Sequence, residues 1–226
     1  MATVMLVRHG RTAANALGIL AGTAPGTQLD DDGVAQATEL GELLSEVEPA
    51  AIIASPLERT MQTANIISRF ITGNSDRTVI EEHGLIECDY GNWTGKSLSE
   101  LSQEPLWSAV QNHPSSVVFP AGESMSAMQA RAVGAVRRWN DLLGPDSFYV
   151  AVSHGDVIKS IVADAMGAHL DHFQRISIDP CSVTVIRYSE SRPFILGLNG
   201  NGTQVERFVR ASKESSSDAP VGGGVA

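Results

Sequence analysis

The sequence predicts an α/β fold: a three-layer αβα sandwich with a mostly parallel sheet and antiparallel strands at its C-terminal end. Three observations predict it. The apolar runs at 3–8, 50–54 and 148–153 are continuous rather than alternating, as strands covered on both faces are. Amphipathic helical patterns separate them, which favours parallel strands joined by crossovers. Near the C-terminal end, 182–188 and 193–198 alternate and are joined by Ser189–Arg192, so they read as a hairpin at the sheet edge. A chain of 226 residues suffices for one core. Residues 1–210 are expected to form a single domain with a lid excursion at about 90–123, and 211–226, rich in Ser, Gly, Asp and Pro, a flexible tail.

Taken in order, the first strand ends at Val7-Arg8-His9-Gly10. A loop covers 11–29, with a helical turn around Ala13–Leu17. Asp30-Asp31-Asp32-Gly33 opens a helix whose apolar stripe is Val34, Ala37, Leu40, Leu43 and Leu44. Ala50–Ala54 is the second strand. Ser55-Pro56 stops it and starts a helix to about Phe70. A turn at Gly73–Arg77 leads to a short strand at Thr78–Glu81. Tyr90–Glu123 is irregular, with one helix predicted from Ser99 to Asn112. Ser124–Leu143 is a long amphipathic helix, with Glu123 and Ser124 assigned to its cap. Phe148–Ser153 is the fourth buried strand, His154-Gly155 ends it, and a helix follows to Met166. A last short strand is expected at Gln204–Val209.

Composition narrows the function classes. The formal net charge of −10 argues against nucleic acid or an anionic membrane surface as partner. There is no apolar run of membrane-spanning length, and no secretory leader is expected. Cys88 and Cys181 lie far apart with no Cys-x-x-Cys spacing, which predicts a reducing, cytoplasmic setting and no zinc site. His169 and His172 are three apart, but no third ligand converges on them, so no metal is expected.

Two buried strands end alike, in Arg8-His9-Gly10 and in Ser153-His154-Gly155. Arg59 falls on the first turn of the helix that follows another strand end. Ligands of open α/β sheets bind outside the strand C-termini. Two histidines and two arginines there suit phosphoryl transfer through a phosphohistidine. Neutral imidazole is a nucleophile when its other nitrogen is fixed, and arginine forks grip the phosphoryl oxygens. A carboxylic acid is then needed to protonate the leaving alcohol. Glu87 is the best candidate, with Asp89 two residues away as the alternative. Arg11 and Lys159 flank the two His-Gly turns and either extend the positive field or are solvated.

These motifs together resemble the histidine phosphatase superfamily, also called phosphoglycerate mutase-like. The resemblance is carried by Leu6-Val7-Arg8-His9-Gly10-Arg11-Thr12 with Asn15, by Leu29 through Gly33-Val34-Ala35-Gln36-Ala37, by Ser55-Pro56-Leu57-Glu58-Arg59-Thr60, by Leu85-Ile86-Glu87-Cys88-Asp89-Tyr90-Gly91-Asn92-Trp93-Thr94-Gly95, and by Ser153-His154-Gly155. It implies His9 as nucleophile, Arg8, Arg59 and His154 as the phosphate pocket, and Glu87 as proton donor. Asn15 would contact the phosphoryl group or order the loop after His9, and Gly22 would line the pocket where substrate enters. No cofactor is implied.

Within that family the mutases carry an Arg-Arg-x-x-Asp-x-Pro-Pro stretch after the acidic motif. Here 98–122 holds no Arg or Lys. Mutases also follow the second His-Gly with Asn-Ser, where this chain has Asp156-Val157. The expectation is therefore a metal-independent phosphatase acting on a small phosphorylated metabolite with an apolar or neutral body. The alternatives are a phosphoglycerate mutase-type phosphotransferase and a non-catalytic phospho-ligand-binding protein. Pairing into a homodimer, through an edge strand or the helix bearing Trp139, is left open.

Overall fold

The structure, a computed structural model, describes residues 2–71, 78–205 and 207–209. Its elements in chain order are β1 (Ala2–Arg8), α1 (Ala13–Ala16), α2 (Asp31–Leu43), β2 (Ile52–Ala54), α3 (Glu58–Ser68) and β3 (Ile80–Glu81), then α4 (Leu98–Leu101), α5 (Trp107–Asn112), α6 (Met125–Leu143), β4 (Phe148–Ser153), α7 (Gly155–Ala165), β5 (Val183–Tyr188) and β6 (Pro193–Gly200). The six strands form one sheet in the order β3-β2-β4-β1-β5-β6. β1, β2, β3 and β4 are parallel; β5 and β6 run antiparallel at the C-terminal end. The fold is the αβα sandwich the sequence predicts.

Period-two alternation sorts the strand side chains between the layers. Val4 and Leu6 of β1 join Tyr149 and Ala151 of β4 in a core closed by α6 and α7. Met5 and Val7 join Val150 and Val152 in a second core closed by α2 and α3. Because both faces are covered, the strands read as unbroken apolar runs. Among the described residues, no helix is long and apolar enough to cross a membrane.

Several expectations need correction. The segment 99–112 is two short helices, α4 and α5, rather than one. Pro105 lies between them, and its ring disfavours helical backbone at Glu104. Residues 205 and 207–209 are helical, not a strand. Val205, Phe208 and Val209 have i, i+3, i+4 spacing, and all three pack into the α2/α3 core, with Val205 buried and the others partly so. Val34 is exposed and lies outside the stripe assigned to it. The N-cap of α6 is Ser124 alone, which accepts the Ala127 N–H; Glu123 pairs with Arg131 instead. The predicted turn at 73–77 and tail at 211–226 lie outside the described residues.

One close approach positions the site. The loop after β1 runs against the first turn of α2. There Asp30 caps the helix by accepting the Gly33 N–H at 2.8 Å, and Arg11 pairs with Asp30 (2.9 Å) and with Asp32. A Cβ at Gly33 would overlap the Arg11 carbonyl, and one at Gly10 would come within 2.5 Å of the Gly33 carbonyl. Both obstacles are backbone. Gly33→Ala is therefore expected to lower stability by about 1–3 kcal/mol and to reduce activity by displacing the His9 loop. Urea unfolding and a kinetic assay on the same preparation check both effects.

Candidate active site

β1 and β4 are in parallel register with Arg8 opposite Ser153, and the His9 N–H donates to the Ser153 carbonyl at 2.9 Å. His9 and His154 are the next residues of their strands, so they emerge side by side, with ring centroids 5.3 Å apart. β2 lies beside β4, so the helix that follows it, α3, brings Arg59 to the same edge. Arg8, His9, Arg59 and Glu87 line a cavity of about 600 Å³, and Arg59 links the buried His154 to that wall.

The hydrogen bonds fix the ring states. His9 Nδ1 lies 2.7 Å from the Gly10 carbonyl, which can only accept, so Nδ1 carries the proton. Nε2 then holds the lone pair, and Arg59 Nε donates to it at 3.2 Å. Arg59 Nη2 donates to the Gly22 carbonyl (2.7 Å) and to His154 Nδ1 (3.2 Å). His154 is therefore protonated on Nε2, which donates to Ser55 Oγ at 2.8 Å. Burial, reinforced by the Arg59 cation, pushes both imidazoles well below their usual pKa. Both rings are neutral at physiological pH.

The arginines are held with donors to spare. Arg8 Nη1 donates to the Ile178 carbonyl at 2.6 Å. Arg8 Nε and Arg59 Nη1 are buried without a hydrogen-bond partner among the described residues. Buried guanidinium N–H groups are costly to leave unpaired, so two of them at one site are suited to an anion. Gly155 lies beside the Arg8 guanidinium, where a Cβ would make only ordinary van der Waals contact with Arg8 Nε, at 3.5 Å. Burial lowers the pKa of Arg59, an effect that nearby Glu87 opposes.

Glu87 is buried on the cavity wall, with Oε1 accepting the Cys88 N–H at 3.0 Å. Burial and the nearby Asp156 carboxylate raise its pKa to about 7, against the pull of Arg59 and Arg8. Asp89 is exposed, and its side chain accepts the Gly91 N–H in a turn. The cavity thus holds a neutral, oriented imidazole, a cationic cradle and a carboxyl that titrates near neutrality. Those are the parts of acid–base and nucleophilic chemistry on an anion.

The two weaker placements are also clear. Gly22 lines the cavity at φ +51° and grips Arg59 through its carbonyl. Asn15 lines it too, while its Oδ1 accepts from both the N–H and the hydroxyl of Thr12, which orders the loop after His9. Arg11 and Lys159 reach the wall, but each is paired, Arg11 with the α2 acids and Lys159 with Asp156 (3.5 Å) and Gln174 (3.2 Å). In the segment 90–123, the rings of Tyr90, Trp93 and Phe119 are buried against one another and offer only part of their surface to the cavity; Val118 is exposed and lies outside it. Cys88 is a buried thiol with its pKa raised by burial. Sequence reasoning missed Ser55, read only as a strand stop, and the Asp156 pairing with Tyr90 (2.8 Å) and Lys159.

A profile of the histidine phosphatase superfamily (branch 1) matches residues 4–201. The chain belongs to that superfamily. Phosphoserine phosphatase 1 of Hydrogenobacter thermophilus is 31% identical over 94% of this chain and 99% of its own length. A 2,3-bisphosphoglycerate-dependent phosphoglycerate mutase of Thermoplasma acidophilum is 25% identical over 92% and 98% of the two chains. Among solved structures, the alpha-ribazole phosphatase of Shigella flexneri superposes with a TM-score of 0.76 at 26% identity, covering 88% of this chain and 96% of that one. As a histidine phosphatase, the protein is a phosphoric monoester hydrolase.

Proposed function

We propose that this histidine phosphatase works in two steps through a phosphoryl group carried on His9. The observation that carries this reading is the His9 ring itself: neutral, with Nδ1–H tied to the Gly10 carbonyl and the Nε2 lone pair directed at Arg59. In the first step Nε2 attacks phosphorus. A P–N bond forms, the P–O bond to the alcohol breaks, and the Glu87 carboxyl gives its proton to the departing oxygen. In the second, water attacks phosphorus, Glu87 takes its proton, and the P–N bond breaks. Phosphate leaves, with His9 neutral and Glu87 protonated again.

Arg8 Nε and Arg59 Nη1 supply donors for the phosphoryl oxygens. His154 offers Nδ1 as a further donor once a phosphoryl dianion favours its protonation. Rapid quench with ³²P-labelled p-nitrophenyl phosphate should trap an acid-labile, alkali-stable phosphoenzyme. Absence of label, or label retained in His9→Ala, overturns the reading.

The cavity also bears on the substrate. Its volume of about 600 Å³ exceeds what a phosphate and a three-carbon body need, and suits a mid-sized ligand. Leu20, Leu98 and Trp107 offer an apolar side, while Gln111 and Gln174 offer hydrogen bonds. The further wall cations, Arg11 and Lys159, are already paired, so a second phosphate has no ready counter-charge. We therefore read the substrate as a small metabolite with one phosphate and a mid-sized, partly apolar body. In a panel of phosphate monoesters, kcat/KM should be at least about 10-fold higher for such esters than for phosphoserine or 3-phosphoglycerate. A preference for the three-carbon acids, or isomerisation of 3-phosphoglycerate with a bisphosphate primer, contradicts this.

A further inference from the structure

Glu87 stands on backbone with no regular secondary structure, between a 3₁₀ turn at His83–Leu85 and another at Gly91–Trp93. Such a loop does not hold a proton donor to a fraction of an ångström unless something braces it. The brace comes from α6. Arg131 Nη1 donates to the carbonyls of Gly84 (3.0 Å) and Ile86 (2.6 Å), and Nη2 donates to the carbonyl of Glu87 itself (3.0 Å).

The same guanidinium is forked onto Glu123, with Nε 3.2 Å from Oε2 and Nη2 2.5 Å from Oε1. Glu123 continues the brace to the far side of Glu87. Its Oε1 accepts the Asp89 N–H at 3.0 Å, and its own N–H donates to the Asp89 carbonyl at 2.9 Å. One guanidinium thus ties the backbone before, at and, through Glu123, after the acid. Neither Arg131 nor Glu123 lines the cavity. An exposed ion pair is worth little, but both side chains are about three-quarters covered, at 24% and 21% exposure, and the guanidinium is hydrogen-bonded through all three nitrogens.

We propose that Arg131, locked by Glu123, is a positioning residue that aims Glu87 at the leaving oxygen without touching substrate. The proposal rests on the reading of Glu87 as the proton donor. Lysine is a poor substitute, because a single ammonium cannot span three carbonyls and a carboxylate in this planar arrangement. Arg8 and Arg59 take their own anchors from the Ile178 and Gly22 carbonyls rather than from Arg131, so their hydrogen bonds do not depend on the brace.

The readout is leaving-group selectivity in kcat/KM, which covers the steps through departure of the alcohol. An alkyl alkoxide needs the proton; p-nitrophenolate leaves without it. The comparison uses wild type, Glu87→Gln, Arg131→Met, Arg131→Lys, Glu123→Gln and the double variant Glu87→Gln/Arg131→Met, each checked for fold by circular dichroism and melting temperature. Arg131→Met is expected to lower kcat/KM for an alkyl phosphate by about 10- to 100-fold and for p-nitrophenyl phosphate by less than about 3-fold. Arg131→Lys should recover little of it. In the Glu87→Gln background the same change should add no selective loss, because the group being aimed is gone.

Equal losses on both substrates, no loss, or an additive selective loss in the double variant overturns the proposal. If Arg131→Met does not fold, Glu123→Gln decides: a smaller but still selective loss supports the brace and a non-selective one refutes it. A Glu87→Gln enzyme without selectivity overturns the assignment of the acid and the brace with it. Selectivity in Glu87→Gln but not in the Arg131 and Glu123 variants overturns the brace alone.

Discussion

Replacing His9 with alanine should lower turnover by at least about 10⁴-fold while phosphate binding changes little. The asymmetry follows from where the groups are anchored. The donors proposed for the anion are Arg8, held by the Ile178 carbonyl, and Arg59, held by the Gly22 carbonyl. Neither anchor passes through the His9 ring. Removing the ring takes away the proposed nucleophile and the acceptor of Arg59 Nε, and leaves that N–H free for a phosphate oxygen. Phosphate titration followed by the rise in melting temperature should therefore give a Kd within about 3-fold of wild type. Fold stability should fall modestly, since a buried side chain and its bond to the Gly10 carbonyl are lost. Residual turnover above a hundredth of wild type, with a folded protein, would mean that another group attacks phosphorus. His154 is the only other imidazole in contact with Arg59 among the described residues, and His9→Ala/His154→Ala would identify it.

The parts of this site that sequence makes legible share one property: each is announced by its immediate neighbours. Arg8-His9-Gly10 and His154-Gly155 are readable because a polar pair at the end of an apolar run has to lie at a sheet edge. Arg59 is readable because a cation in the first turn of a helix opposes the dipole and needs another reason to be there. Glu87 and Asp89 sit in one irregular stretch, and what separates them is burial, which the local sequence does not encode. What stayed illegible depends on contacts between distant segments. Ser55 meets His154 across 99 positions, and Arg131 meets the Glu87 loop across 44 to 47. Arg131 left a faint local trace, as a cation on α6 flanked by the buried Met128 and Ala132. The aromatic rings of 90–123 pack on one another, yet Tyr90, Trp93, Trp107 and Phe119 all also line the cavity, a double role that depends on contacts the local sequence does not show.

Glu87→Gln should separate function from stability, in opposite directions. The carboxyl must be protonated to donate, and its pKa is raised to about 7. For an alkyl phosphate, kcat/KM should therefore fall as pH rises through about 7, and Glu87→Gln should abolish that limb while lowering the plateau by about 10²–10³-fold. Substrate phosphate also titrates, near pH 6, but it does so identically with both enzymes, so the difference between the profiles belongs to Glu87. Stability has the reverse sign. Between the ordinary glutamate value of 4.5 and about 7, the folded protein keeps a proton that the unfolded chain releases. Wild-type stability accordingly drops as pH rises through that window, and the cost of ionising the buried carboxyl is complete above it. Glutamine never ionises. Relative to wild type, the variant should thus gain on the order of 1–3 kcal/mol between pH 5 and pH 8, measured by urea unfolding at the two pH values. Asp89→Asn, at an exposed turn, should change neither profile by a comparable amount. If Asp89→Asn removes the high-pH limb and Glu87→Gln leaves it in place, the proton comes from Asp89, and the burial of Glu87 is a structural cost without a catalytic return.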